Sequence, residues 1–210
     1  MRILALVLAT LLLGACAQTR VASYVDPAYR GAPKLTAVAV AADTARLGEQ
    51  QALESAADAA LSAQGVRAVR MIDLVPPTRT GGSAAQTAAL RTSGVQAVLR
   101  ITVDRRAVAA RYIPPAYGPD AFYPYGGFYG PYGGYGYYPG AYGGPISSGG
   151  WVEEPLARYS ASLQDLRSGA TIWKADAGSR GSSGTDFDDL AADAAKELVG
   201  RLHQDGLIGG

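Results

Sequence analysis

The apolar positions of this chain change period several times, and each change marks an element. Leu35-Thr36-Ala37-Val38-Ala39-Val40-Ala41 is a short apolar run that predicts a buried strand. Leu47, Leu53, Ala56, Ala57, Ala60 and Leu61 then recur at helical steps, with Glu49, Glu54 and Asp58 between them. This predicts an amphipathic helix stopped at Gly65. A second strand is expected from about Val66 to Val75, ending at Pro76-Pro77. Ser83 and Gln86 have capping-box spacing for a short helix that ends at Gly94. Val95, Ala97, Leu99, Ile101 and Val103 share one face of a third strand. Alternation returns at Ala157, Tyr159, Ala161 and Leu163, and a turn at Arg167-Ser168-Gly169 leads into Thr171-Ile172-Trp173-Lys174-Ala175, a hairpin. The last helix is capped by Thr185, carries the stripe Phe187, Leu190, Ala191, Ala194, Leu198 and Leu202, and stops at Gly206.

The order is β-α-β-α-β, an insertion, then β-β-α. Alternating strands and helices favour parallel pairing first, and the hairpin adds antiparallel strands. The expected fold is a single-domain α/β sandwich, of two or three layers, with helices packed on a mixed sheet. It spans residues 34–210.

The start of the chain reads differently. Met1-Arg2 is followed by an uncharged run from Ile3 to Leu13. That run is too short to cross a hydrocarbon core of about 30 Å, so residues 1–15 read as a signal peptide. Leu13-Gly14-Ala15-Cys16 resembles a lipobox, in which the cysteine of a bacterial lipoprotein is acylated after cleavage. Cys16 is the only cysteine of the chain, so it is the expected lipidation site and the expected link to a membrane. Ala17 follows it in place of the Asp that retains Gram-negative lipoproteins at the inner membrane, and that resemblance implies the outer membrane, facing the periplasm. Residues 16–33, with Pro27, Gly31 and Pro33, are expected to form the lipidated cysteine and a linker.

Residues 114–150 are a second departure. They hold 9 of the 13 Tyr, 12 of the 27 Gly and 7 of the 12 Pro, with Asp120 as their one charge. Such a stretch cannot build a core of its own, and it reads as a low-complexity insertion between neighbouring strands. It is either a plain long loop or a sticky surface. On the second reading Tyr123, Tyr125, Tyr132 and Tyr138 are the candidate contact surface of a glycan- or peptidoglycan-binding module.

Charge and chemistry narrow the function mainly by exclusion. The chain has 19 basic and 18 acidic residues among 210, and loss of Arg2 with the leader leaves the mature part neutral. That balance argues against a nucleic-acid binder held by a basic face, and it leaves attachment to the lipid. One Cys and one His (His203) exclude a multi-residue Cys/His metal site, and no cofactor or metal is expected. Gly134-Tyr135-Gly136-Tyr137-Tyr138-Pro139 puts Pro where a dinucleotide loop needs Gly. Asp186, Asp188 and Asp189 read as helix capping. Glu153 and Glu154 are adjacent on a strand and face apart. No catalytic residues are assigned; an enzyme built on charged residues near the third strand, such as Asp104 and Arg105, is the least favoured of three readings.

The stretch from Tyr159 to Trp173, written Y-S-A-S-L-Q-D-L-R-S-G-A-T-I-W, resembles the hairpin of small bacterial outer-membrane-type lipoproteins of an uncharacterised family with a Tyr/Gly-rich insertion. Lys196 to Ile208, Ala63-Gln64-Gly65-Val66 and Ser93 to Leu99 are similar to the same pattern. The resemblance implies an α/β domain akin in style to the N-terminal domains of envelope assembly proteins. It carries over no activity and no functional residues. The expected role is therefore non-enzymatic, in the cell envelope, with envelope proteins or the cell wall as candidate partners.

Overall fold

The computed structural model describes residues 17–78, 83–114, 116–117, 145–147 and 149–209. The elements are β1 (Gln18–Val25), β2 (Ala37–Asp43), α1 (Leu47–Ala63), β3 (Arg67–Arg70), α2 (Met71–Leu74), α3 (Ser83–Ser93), β4 (Ala97–Ile113), β5 (Ala116–Tyr117), β6 (Pro145–Ser147), β7 (Gly150–Asp165), β8 (Thr171–Arg180) and α4 (Phe187–Gln204). Six strands form one mixed sheet in the order β1-β8-β7-β4-β2-β3. β2 runs parallel to β3 and to β4, while β8 runs antiparallel to β7 and β1. The mixed α/β sheet expected from the alternation is therefore present.

The two halves of the sheet differ in their layers. Residues 37–41 of β2 are all buried. Val38 and Val40 pack with Leu53 and Leu61 of α1 and Leu198 of α4, whereas Ala39 and Ala41 pack with Met71 and Val98 on the opposite side. Strands covered on both faces read as unbroken apolar runs, which is the pattern of Leu35 to Ala41. Among the described residues, only the α1/α4 side is covered at the β1-β8-β7 end. There β8 alternates between buried Trp173, Ala175, Ala177 and Ser179 and exposed Lys174, Asp176, Gly178 and Arg180. The fold has three layers at one end and two at the other.

Four expectations need correction. The segment 16–33 is not all linker, because Gln18–Val25 pairs with the whole of Trp173–Arg180 as an edge strand. Its inward residues are Thr19, Val21, Ser23 and Val25, so polar side chains interrupt the apolar alternation that would have marked it. The two hydroxyls find partners on the helix side: Thr19 Oγ1 donates to Asp193 Oδ2 (2.6 Å) and Ser23 Oγ to Asp205 Oδ2 (2.6 Å). The second strand ends at Arg70, and Met71 begins a helical turn. That turn is held by the fully buried Glu54, whose Oε2 accepts from Ile72 N–H at 2.8 Å. Glu49 and Glu54 themselves lie on the buried side of α1, not on its solvent side, while Leu47 is exposed. The cap of α4 is Asp186, not Thr185: Asp186 and Asp189 exchange side-chain to backbone hydrogen bonds in a capping box.

Residues 110–153 form a second compact unit. Within it Ala116–Tyr117 and Pro145–Ser147 pair antiparallel, and Tyr112 meets Trp151 edge to face at 5.5 Å between ring centroids.

One part-buried polar knot joins β1, β8 and the C-terminal end of α4. Asp205 accepts from the indole N–H of the buried Trp173 at 2.8 Å and from Ser23, and Arg201 Nε donates to Ser23 Oγ at 2.7 Å. Asp205→Ala leaves the indole N–H unpaired in the core. It should cost about 1–3 kcal/mol, read as a lower urea midpoint at unchanged m-value; an unchanged midpoint would show that the knot does not hold β1.

Candidate anion-binding face

The open face of the sheet is built by strand register. Across β1, β8 and β7 one row reads Gln18, Arg180, Leu156, and the next reads Arg20, Gly178, Arg158. These are the outward positions of their strands, since Thr19, Ala157, Tyr159, Ala177 and Ser179 point toward the helices or are buried. Arg105 and Ala107 of β4 complete the lining of a concavity of about 650 Å³. Its floor is Gly178, where an added Cβ would meet nothing within 4 Å. Neighbouring strands are about 4.8 Å apart, so Arg20 and Arg158 flank this notch with Cα atoms about 10 Å from one another.

Four guanidinium groups therefore open onto one hollow. Among the described residues Arg20, Arg105 and Arg158 make no ion pair, and Arg180 reaches only Glu154, at 3.9 Å. Gathering exposed like charges at about 10 Å costs only some tenths of a kcal/mol per pair in water, so the fold tolerates the cluster without a counter-ion. Planar forked donors suit carboxylate and phosphate oxygens. The hollow is therefore a candidate anion site. A larger hollow, about 1040 Å³, lies along the alanine-rich seam of α1 and α4, with Ala56, Ala60 and Ala192 in its walls; Lys196, Asp189 and Glu197 of mixed sign stand at its rim.

The neighbouring arginine of β4 is used in the opposite way. Arg106 bonds to the fully buried Glu49 through both Nε and Nη2, and its Nη2 also donates to Thr44 Oγ1 at 2.8 Å. The bond to Glu49 holds the guanidinium charged beyond its ordinary range. Val103 packs on the helix-side core, and Arg106, three residues later, also turns to that side. Strict alternation would put them on opposite faces, so the alternation slips by one residue between them. That slip sends Arg105 outward and Arg106 inward. Beside this pair the Tyr159 hydroxyl is buried with no hydrogen-bond partner among the described residues, and burial, reinforced by the charge of Glu49, raises its pKa. Burial likewise raises the Glu54 carboxyl, against the N–H groups of Ile72 and Ala42. At the hairpin turn the Ser168 hydroxyl holds the Asp165 carboxyl below its ordinary value.

The residues singled out from the sequence are placed as follows. Cys16 and Tyr123, Tyr125, Tyr132 and Tyr138 lie outside the described residues. Asp104 accepts from Ser160 Oγ at 2.9 Å on the open face, and Arg105 lines the hollow beside it. Asp186 and Asp189 cap α4, and among the described residues no group of His, Cys, Asp and Glu could hold a metal ion. His203 is exposed in the last turn of α4, and Trp173 is core. Arg20, Arg158 and Arg180 were not legible as a site. They are single charges on separate strands, and only the pairing of Gln18–Val25 with β8 brings them together.

No family model matches the chain, and no curated protein matches it. Solved structures similar to it include the PelC dodecamer from Paraburkholderia phytofirmans, at 18% identity and TM-score 0.48, covering 88% of this chain and 97% of that one. Lipoprotein GNA1162 from Neisseria meningitidis is similar at 15% identity and TM-score 0.41, covering 82% and 99%. A PDZ domain protein from Parabacteroides distasonis is similar at 11% identity and TM-score 0.37, covering 95% and 39%. The neighbours thus include a lipoprotein. Among the described residues no helix is long and apolar enough to cross a membrane.

The buried pair gives a sharp test. Arg106→Leu leaves the Glu49 carboxylate uncompensated in the core and should cost about 3–5 kcal/mol, most of it recovered in Glu49→Leu/Arg106→Leu. Denaturant midpoints of Arg106→Leu, Glu49→Leu and the double variant measure this. A loss in the double variant equal to the sum of the two single losses would show that the pair does not act as a unit.

Proposed function

We propose that the protein is a lipid-anchored component of the bacterial cell envelope, held through Cys16 at the outer membrane on its periplasmic side. It works by binding and not by catalysis. The observation that carries the binding role is the hollow on the open sheet face, where Arg20, Arg105, Arg158 and Arg180 stand together and, among the described residues, only Arg180 makes an ion pair, with Glu154. Arginines of which three make no ion pair among the described residues favour an anionic partner, and the part-buried knot of Asp205 and Trp173 fixes β1 so that Arg20 keeps its place. The anchor is supported by the lipobox-like Leu13-Gly14-Ala15-Cys16, in which the lone cysteine stands where acylation needs it.

The two parts of this reading separate experimentally. Cys16→Ser should move the protein from the membrane to the soluble fraction of cells, and firm retention after that change would contradict the anchor. Arg20→Gln/Arg158→Gln should elute from a sulfonate resin at lower salt than the wild type. Arg30→Gln/Arg91→Gln, which removes the same charge from exposed sites elsewhere, should elute close to it. An equal shift in both double variants would mean that the hollow is no binding surface.

A further inference from the structure

We infer that the anion the arginine hollow meets is the phospholipid surface into which the protein is anchored, so that the open sheet face docks on anionic headgroups. This rests on the anchored-binding reading above and names its partner.

Distance along the chain carries the inference. Linker was expected to separate Cys16 from the fold, but β1 begins at Gln18, and Ala17 is the one residue between. A chain spans at most about 3.6 Å per residue, so the Cα of Arg20 lies no more than about 14 Å from that of Cys16. An acylated cysteine sits at the boundary of hydrocarbon and headgroups, and the headgroup layer of a leaflet is itself about 5–7 Å deep. An arginine side chain crosses most of what remains. The screening length is about 8–10 Å at physiological salt, so the first arginine of the hollow cannot be held electrostatically apart from the membrane to which Cys16 is fixed.

Register then brings the others with it. Arg158 faces Arg20 across the side-chain-free notch at Gly178, and Arg180 stands in the row nearest the start of β1, paired with Gln18. Carboxylates share this face: Asp176, in the row of Ala22 and Ser160, is the diagonal neighbour of Arg20 and Arg158, Asp104 bonds to Ser160, and Glu154 stands beside Arg180; Arg20, Arg105, Arg158, Arg180 and Lys174 outnumber these three acids. Tyr24, 62% exposed, projects from the same face of β1 opposite Lys174 and has the amphipathic ring that favours a headgroup layer. Each basic group brought to an anionic surface strengthens attachment by about fivefold. Because the lipid already supplies the attachment, the arginines set orientation: they turn the helix-covered side toward the periplasm.

The test uses the mature acylated protein in washed vesicles, where the blocked Cys16 leaves an introduced cysteine as the sole thiol. An environment-sensitive fluorophore goes on Ala107→Cys, in the hollow, or on Gln51→Cys, on the exposed side of α1. In phosphatidylcholine vesicles doped with phosphatidylglycerol, the Ala107 probe should shift to the blue and be quenched by a headgroup-attached quencher, and the Gln51 probe should not. The effect should vanish in phosphatidylcholine alone, in high salt, and in Arg20→Gln/Arg105→Gln/Arg158→Gln/Arg180→Gln; the salt arm needs no variant to fold. The inference is overturned if the Ala107 probe responds alike in both vesicles and in high salt, if the Gln51 probe responds instead, or if soluble polygalacturonate shifts the Ala107 probe where anionic vesicles do not. Protein that fails to float with any vesicle and lacks acyl mass signals failure of the anchor itself, a separate result.

Discussion

The pairing of β1 with β8 is the constraint from which the binding face follows. Residues 18–25 hydrogen-bond along the full stretch from Trp173 to Arg180, and they could otherwise have been a tether of arbitrary direction. Once zipped, they add an edge to the sheet, set Arg20 beside Gly178 and Arg158, and leave one residue between the fold and Cys16. The pairing is supported from beneath by side chains as well as by backbone. Thr19 and Ser23 reach Asp193 and Asp205, and Asp205 in turn holds the indole of Trp173. An edge strand with polar residues on its inward face is weak alone; here those residues are the fasteners.

A net charge of only +1 hides a strong sidedness. The arginines of β4 show how it arises: Arg106 turns inward and pairs with a buried glutamate, while Arg105, next in the chain, turns outward to join Arg20, Arg158 and Arg180. The acids are distributed to match. Glu49 and Glu54 are buried on α1, Asp186 and Asp189 cap α4, and Asp193 and Asp205 tie down β1. With these acids engaged in structural bonds, the basic groups of the open sheet end keep few counter-charges. A protein can thus carry equal numbers of both signs and still present a cationic face.

What the sequence made legible divides along the same line. Elements whose apolar period survives were readable: the buried run at β2, the alternation of β7 and β8, the stripe of α4 and its fold-back at Leu207 and Ile208, both buried. Those that fail the pattern do so because polar side chains are used inside. β1 has Thr19 and Ser23 on its inward face; α1 buries Glu49 and Glu54, which resemble a solvent face in sequence; the turn after Arg70 depends on a carboxylate from a distant helix. The arginine hollow was hidden for another reason. Its members are separated by up to 160 positions, Arg20 against Arg180, and they meet through strand register, which single-sequence periodicity does not carry.

The proposed contact between guanidinium groups of the open face and lipid phosphate would bring arginine Cζ within dipolar range of phosphorus. Solid-state NMR measures this directly, as the loss of arginine Cζ signal under dipolar recoupling to lipid phosphorus in anionic bilayers holding the acylated protein. Dephasing of an arginine subset is expected, and it should disappear when Arg20, Arg105, Arg158 and Arg180 are replaced together. Arginine signals that never dephase, or that dephase equally after those replacements, would contradict it.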